Sequence, residues 1–168
     1  MGFYFDKMSV LVVEDTLPMR TLVTTVLETL GVGRVFTATD GEAGFQLFCA
    51  KNPDVVITDW HMEPVNGIDL VKRIRISEQS THKTVPIIMM SGYSAYPRVS
   101  MARDVGVTEF LVKPFSTDDL AKRIAYVINK PRDFVVSNDY FGPDRRRRMD
   151  DDYSGKMKRE SDRNKVYL

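Results

Sequence analysis

Little in this chain suits thiol chemistry or a soft metal. Among 168 residues there is one cysteine, Cys49, so neither an internal disulfide nor a cysteine-rich zinc site can form. No neighbour in sequence would activate that thiol, and Cys49 reads as a small core residue. The two histidines, His61 and His82, do not sit at zinc-ligand spacing. Excess charge is also missing. Lys and Arg number 24 against 23 Asp and Glu, a net +1, so no global field draws the chain to nucleic acid or anionic lipid. No stretch approaches the roughly 18 apolar residues of a membrane span, and Met1–Met8 carries an acid and aromatics rather than a long apolar run. A soluble, cytoplasmic protein without membrane insertion is the expectation. Hydrophobic residues make up 43% of the chain, enough for a packed core, and the length suits one domain plus an appendage.

Short apolar runs recur at Val10–Val13, Val35–Ala38, Val55–Thr58, Ile87–Met90 and Phe110–Val112. They are continuous rather than alternating, which predicts parallel strands covered on both faces. Helical stripes lie between them. Met19, Leu22, Val23, Val26, Leu27 and Leu30 follow the first run, with Pro18 in the first turn and Gly31 at the end. Asp40-Gly41 opens a second helix and Gly67 a third; Ser94 and Pro97 open a fourth. Ser116-Thr117-Asp118-Asp119 offers the fifth a cap and an acidic first turn. The order is (βα)₅ over residues 8–130: an α/β, doubly wound parallel sheet with helices on both faces.

Residues 131–168 change character. They hold ten Lys/Arg, eight Asp/Glu and few aliphatics, too little for a second globular domain, so a polar C-terminal tail is expected.

Chemistry-bearing residues end the apolar runs: Glu14-Asp15 the first, Asp59 the third, Ser91 the fourth and Lys113 the fifth. In a parallel sheet all these ends share one edge, where open α/β sheets bind ligands. Two like charges about 4 Å apart repel by about 4 kcal/mol at an effective dielectric near 20. Three acids gathered there therefore call for a cation, and oxygen-only ligation points to Mg²⁺ or a similar hard ion. A carboxylate-held metal is typical of phosphoryl transfer. Asp59 is placed to act as nucleophile, Lys113 supplies a mobile positive charge, and Ser91 a hydroxyl donor.

The set Val12-Val13-Glu14-Asp15, Asp59-Trp60-His61-Met62 with Gly67 eight residues after Asp59, Met90-Ser91-Gly92, and Phe110-Leu111-Val112-Lys113-Pro114-Phe115 resembles the receiver domains of bacterial two-component response regulators, the CheY-like proteins among them. The resemblance spans about residues 8–130. It implies a flavodoxin/CheY-like fold with strand order 2-1-3-4-5, and a phosphorelay switch rather than an enzyme acting on a separate substrate. Asp59 would accept a phosphoryl group from a sensor histidine kinase or phosphotransfer protein. Mg²⁺ would be held by Asp15, Asp59 and the backbone carbonyl of His61, with Glu14 acting mainly through water. Ser91 and Lys113 would contact the phosphoryl group, Ser91 and Phe110 would be the switch residues, and Lys113-Pro114 a cis junction. The partner-binding face that changes would comprise the fourth helix, fifth strand and fifth helix. Four features depart from the family pattern: Glu14 stands for the commoner aspartate, Ser91 for threonine, Pro64 is shifted by one position, and Phe110 lacks a tyrosine hydroxyl.

The tail carries Tyr140, Phe141 and the run Arg145-Arg146-Arg147-Arg148, candidates for partner recognition, with the downstream protein target unknown. Asp150-Asp151-Asp152 follows at once and repels phosphates, which argues against DNA binding. Two alternatives remain open at this point. One is a Mg²⁺-dependent aspartyl-phosphate phosphatase of the haloacid-dehalogenase type, which would need an acid where His61 stands. The other is a nucleic-acid-binding regulator acting through the arginines.

Overall fold

The apolar runs become five strands: β1 (Ser9–Val13), β2 (Arg34–Ala38), β3 (Val55–Asp59), β4 (Ile87–Ser91) and β5 (Glu109–Val112). The computed structural model describes residues 5–92, 96–144 and 166–167. All neighbouring strand pairs in this sheet are parallel, in the order β2-β1-β3-β4-β5. Five helices alternate with them: α1 (Leu17–Thr29), α2 (Gly41–Lys51), α3 (Gly67–Ile76), α4 (Tyr96–Val105) and α5 (Thr117–Asn129). Ser94, expected to open α4, lies outside the described residues.

The strands divide their side chains between two cores. Leu11, Val13, Val56, Ile87 and Met89 pack with Phe45 and Phe48 of α2, Leu70, Val71 and Ile74 of α3, and Ala102 of α4. Val10, Val12, Ile57, Ile88 and Met90 face the other way, onto Val23 and Leu27 of α1 and Leu120, Ile124 and Val127 of α5. This two-sided burial is why the runs do not alternate in sequence. Each fully buried aliphatic contributes about 1.5–3 kcal/mol.

Local chemistry sets the helix ends. The Asp40 side chain accepts from the backbone N–H groups of Glu42 and Ala43, the Asn66 side chain accepts from Asp69, and Ser116 with Asp119 forms a reciprocal capping box. Gly31, at φ +81°, ends α1 in a left-handed conformation that suits glycine.

Beyond α5 the described residues of the polar segment 131–168 include three strands. Strands β6 (Phe134–Ser137) and β7 (Tyr140–Pro143) form an antiparallel hairpin across Asn138-Asp139, and β8 (Val166–Tyr167) pairs with the other edge of β6. Phe134, Val135 and Tyr140 are buried. The hairpin docks at the amino edge of the main sheet. There Arg75, 1% exposed at the end of α3, donates to the carbonyls of Gly106, Lys83 and Val85 at 2.7–3.0 Å. The Phe134 ring lies 4.9 Å from its guanidinium. Burial lowers the pKa of this arginine to about 9, so it remains charged at neutral pH. Gly142 fits because a Cβ there would stand 3.0 Å from Gly106 Cα and 2.5 Å from the Tyr140 hydroxyl.

Candidate functional site

Parallel pairing brings the carboxyl ends of β1, β3, β4 and β5 to one edge, and the strand-end residues meet there. Glu14 and Asp15 leave β1, Asp59 ends β3, Ser91 ends β4, and Lys113 follows β5. Carboxylate oxygens of Glu14, Asp15 and Asp59 lie within 4.8 Å of one another. Glu14 and Asp59 are buried, whereas Asp15 is exposed. Lys113 Nζ sits 2.9 Å from Asp59 Oδ1 and 3.1 Å from Glu14 Oε2. One ammonium thus faces three carboxylates, a deficit that a single divalent cation would balance.

The electrostatics follow from that imbalance. Burial pushes the Glu14 carboxyl above its ordinary pKa; Asp59 and Asp15 add to the rise, against the Thr16 hydrogen bond and Lys113. Burial alone would lower the Lys113 ammonium, but its hydrogen bonds and charge pairing with Asp59 and Glu14 outweigh burial and raise it. The local fold is built around these groups. Thr16, the N-cap of α1, makes no side-chain cap bond. Its hydroxyl and backbone N–H instead donate to Glu14 Oε1 at 2.9 and 3.1 Å. Arg20 on α1 donates to the carbonyl of Glu14 at 2.8 Å and fixes the turn.

The loop after Asp59 is held by its neighbours. Trp60 N donates to Met90 O at 3.0 Å and Gly67 N to Trp60 O at 2.9 Å. A Cβ on Gly67 would stand 2.0 Å from Asp59 O, which explains a glycine at this distance from Asp59 in sequence. Glu63–Pro64 and Lys113–Pro114 are both cis. Lys113 N donates to Ser91 O at 2.8 Å, so Ser91 and Lys113 are adjacent, and Ser91 is buried. Phe110 packs edge-on against Trp60, ring centroids 6.3 Å apart. His61 is exposed, and its Nε2 lies 3.3 Å from Arg98 Nη1. Nothing local in the sequence distinguishes Arg98 from other helix-surface arginines.

Tyr140 and Phe141 of the tail do not join this edge. Tyr140 is buried, and its hydroxyl donates to Pro143 O at 2.8 Å and lies 3.4 Å from Arg103 O. Its ring and its hydroxyl are both engaged within the chain, where they dock the hairpin. Phe141 packs against Phe134, centroids 5.8 Å apart. Arg145–Arg148 lie outside the described residues. Among the described residues no helix is long and apolar enough to cross a membrane. Cys49 is partly buried, donates to Gln79 O at 3.3 Å, and has its thiol pKa raised by burial.

Comparison with known proteins agrees with this geometry. The model of the response regulator receiver domain matches residues 10–125. Chemotaxis protein CheY1 of Helicobacter pylori is 37% identical over 122 residues, covering 72% of this chain and 97% of that protein. Chemotaxis protein CheY-3 of Vibrio cholerae is 31% identical over 124 residues, covering 74% and 94%. Among solved structures, the chemotaxis response regulator CheY4 of Vibrio cholerae superposes with a TM-score of 0.66 at 32% identity, covering 71% of this chain and 98% of that one. The receiver domain of a sensor histidine kinase from Pseudomonas aeruginosa shares the fold, with a TM-score of 0.66 at 24% identity, covering 73% and 98%. With the acid cluster, its single lysine and the five-stranded order in place, these similarities establish that the chain belongs to the response regulator receiver family, as a CheY-homologous phosphorelay signalling switch.

Proposed function

We propose that Asp59 is the phosphoacceptor of this switch, that Mg²⁺ assists the transfer, and that the donor is the phosphohistidine of a sensor kinase or phosphotransfer protein in the cytoplasm. The observation that carries this is the meeting of Glu14, Asp15 and Asp59 within 4.8 Å with Lys113 on two of them. The donor set suits a hard divalent ion: every ligand is oxygen, and the carboxylates exceed the lysine by two charges. Asp15, Asp59 and the His61 carbonyl would hold it, with Glu14 reaching it through water; bound there, Mg²⁺ would neutralise charge on the phosphoryl group. The Pseudomonas receiver domain noted above was solved with a magnesium ion coordinated in its active-site cleft, which supports the assignment.

Asp59 then acts as a carboxylate nucleophile. Its oxygen attacks phosphorus, the phosphorus–nitrogen bond to the donor imidazole breaks, and the electron pair stays with that ring. Lys113 moves its charge from the carboxylates toward a phosphoryl oxygen, and Ser91 offers its hydroxyl to another. Phe110 would follow Ser91 by repacking against Trp60, since it has no hydroxyl of its own. The chain's own catalysis is confined to taking the phosphoryl group onto Asp59 and losing it to water. The populations of two conformations shift accordingly, and the downstream partner is a protein that distinguishes them.

Incubation with acetyl phosphate and Mg²⁺, followed by a phosphate-affinity gel, tests this. Wild type should shift and Asp59→Asn should not. A wild type that stays unshifted while a control receiver is phosphorylated overturns the assignment.

A further inference from the structure

Arg98 stands in the first turn of α4 (Tyr96–Val105), far in sequence from the phosphoacceptor segment, yet it makes two contacts with that segment. Its Nη1 is 3.3 Å from His61 Nε2, and its guanidinium lies 5.9 Å from the centre of the Trp60 ring. Arginine can only donate, so a hydrogen bond between the two takes His61 Nε2 as its acceptor. Trp60 in turn is buried, bonded through its backbone N–H to Met90 on β4, and edge-on to Phe110 on β5. The exit of β3, the start of α4 and the middle of β5 thus converge on one indole. Phe110 contributes only ring packing there. Arg98 adds a charged, directional link.

We propose that Arg98 is a positioning residue that latches the N-terminal turn of α4 to the Trp60-His61 segment, so that a change at Asp59 is passed to α4. The proposal rests on Asp59 being the phosphoacceptor. Any displacement of the segment that follows Asp59 moves both groups Arg98 holds, the imidazole and the indole, and α4 must follow or release them. Arg98 itself is not among the residues assigned to hold metal or phosphoryl, so its loss should uncouple α4 without preventing phosphorylation.

Trp60 is the only tryptophan, so its emission reports this segment alone. The full chain is titrated with Mg²⁺ and then beryllofluoride, a stand-in for the phosphoryl group on a carboxylate. Trp60 emission and backbone amide exchange over residues 96–105 are followed in wild type, Arg98→Ala and Arg98→Lys. In wild type both signals should respond. In Arg98→Ala the emission response should persist, while the α4 exchange difference falls about five- to tenfold, as loss of a hydrogen bond and a cation–π contact implies. Arg98→Lys, which keeps charge and donor, should recover part of it. A merely structural role would instead raise α4 exchange equally with and without beryllofluoride, and that result overturns the proposal. So does an α4 response in Arg98→Ala equal to wild type when Trp60 responds normally. A wild type whose Trp60 ignores both additions, with no phosphate shift on the gel, would sink the phosphoacceptor assignment itself and the latch with it.

Discussion

The two edges of the central sheet each bury charge, and they do so to opposite ends. At the carboxyl edge Glu14, Asp15 and Asp59 share one lysine, and the charges do not balance without a cation. At the amino edge the guanidinium of Arg75 is fully enclosed, yet its donors are spent on the carbonyls of Gly106, Lys83 and Val85 and its face on Phe134. Beside it, Glu109 is buried between Arg123 at 2.8 Å and Arg132 at 3.4 Å. Hydrogen-bond satisfaction at one edge and frustration at the other separate a structural charge from a chemical one. A buried group whose partners are complete holds a fold together, whereas a cluster short of counter-charge is poised to bind something.

Breaking the satisfied edge should give the largest effect. Arg75→Met keeps the bulk but removes the donor to three carbonyls, and should lower stability by about 3 kcal/mol or more in denaturant titrations. The loss should be the same with and without Mg²⁺. A change below about 1 kcal/mol would mean that water or a backbone shift satisfies those carbonyls.

The frustrated edge should respond the other way. At Mg²⁺ a hundredfold above its dissociation constant, wild type should gain about 2.7 kcal/mol, seen as a rise in Tm. Asp15→Asn should lose that gain while leaving metal-free stability within about 1 kcal/mol, because Asp15 is exposed. Equal Mg²⁺ responses in the two proteins would remove Asp15 from the ligand set.

Gly67→Ala tests how tightly the frustrated edge is built. The new Cβ must displace the Asp59 carbonyl, and should cost about 1–3 kcal/mol together with weaker Mg²⁺ binding by isothermal titration. Loss of stability without a change in binding would show that the loop relaxes away from the site.

The smallest effects concern acid titration. Hydrogen bonds from the Ser116 backbone and side chain hold Asp119 below its ordinary 3.8, so its contribution is present above that pH and is lost as pH falls through the lower, folded value. Glu14 is raised above its ordinary 4.5, chiefly by burial, so the folded state holds its proton more firmly and stability falls as pH rises from there. Metal-free melts from about pH 3 to about pH 7 should therefore flatten at the acid end in Asp119→Asn and above 4.5 in Glu14→Gln. Identical profiles in all three proteins would contradict both signs.

How much of this was legible in sequence depends on the range of the interaction. The strands were legible because burial on both faces leaves continuous apolar runs such as Ile87–Met90, and α5 because Ser116 and Asp119 write its cap locally. The convergence of Glu14, Asp15, Asp59, Ser91 and Lys113 was legible because parallel strands put all their carboxyl ends on one edge. The hairpin is hidden under a polar composition, because Asn138-Asp139 between Phe134–Ser137 and Tyr140–Pro143 lacks the glycine that marks the favoured two-residue turn. Arg75 and Arg98 could not be singled out. Their partners lie on other segments, at Gly106 and Phe134 for one and at Trp60 and His61 for the other, and no local pattern distinguishes an arginine that will be enclosed from one that will face water.

Docking the hairpin at the amino edge also has an architectural consequence. A strand of five residues at about 3.3 Å each separates that edge from Asp59 by about 17 Å. A reporter or second protein fused after Asp144 therefore starts at the pole remote from the acids. Cargo can be attached there while a phosphodonor approaches the other pole, an arrangement that lends itself to building sensors from this chain.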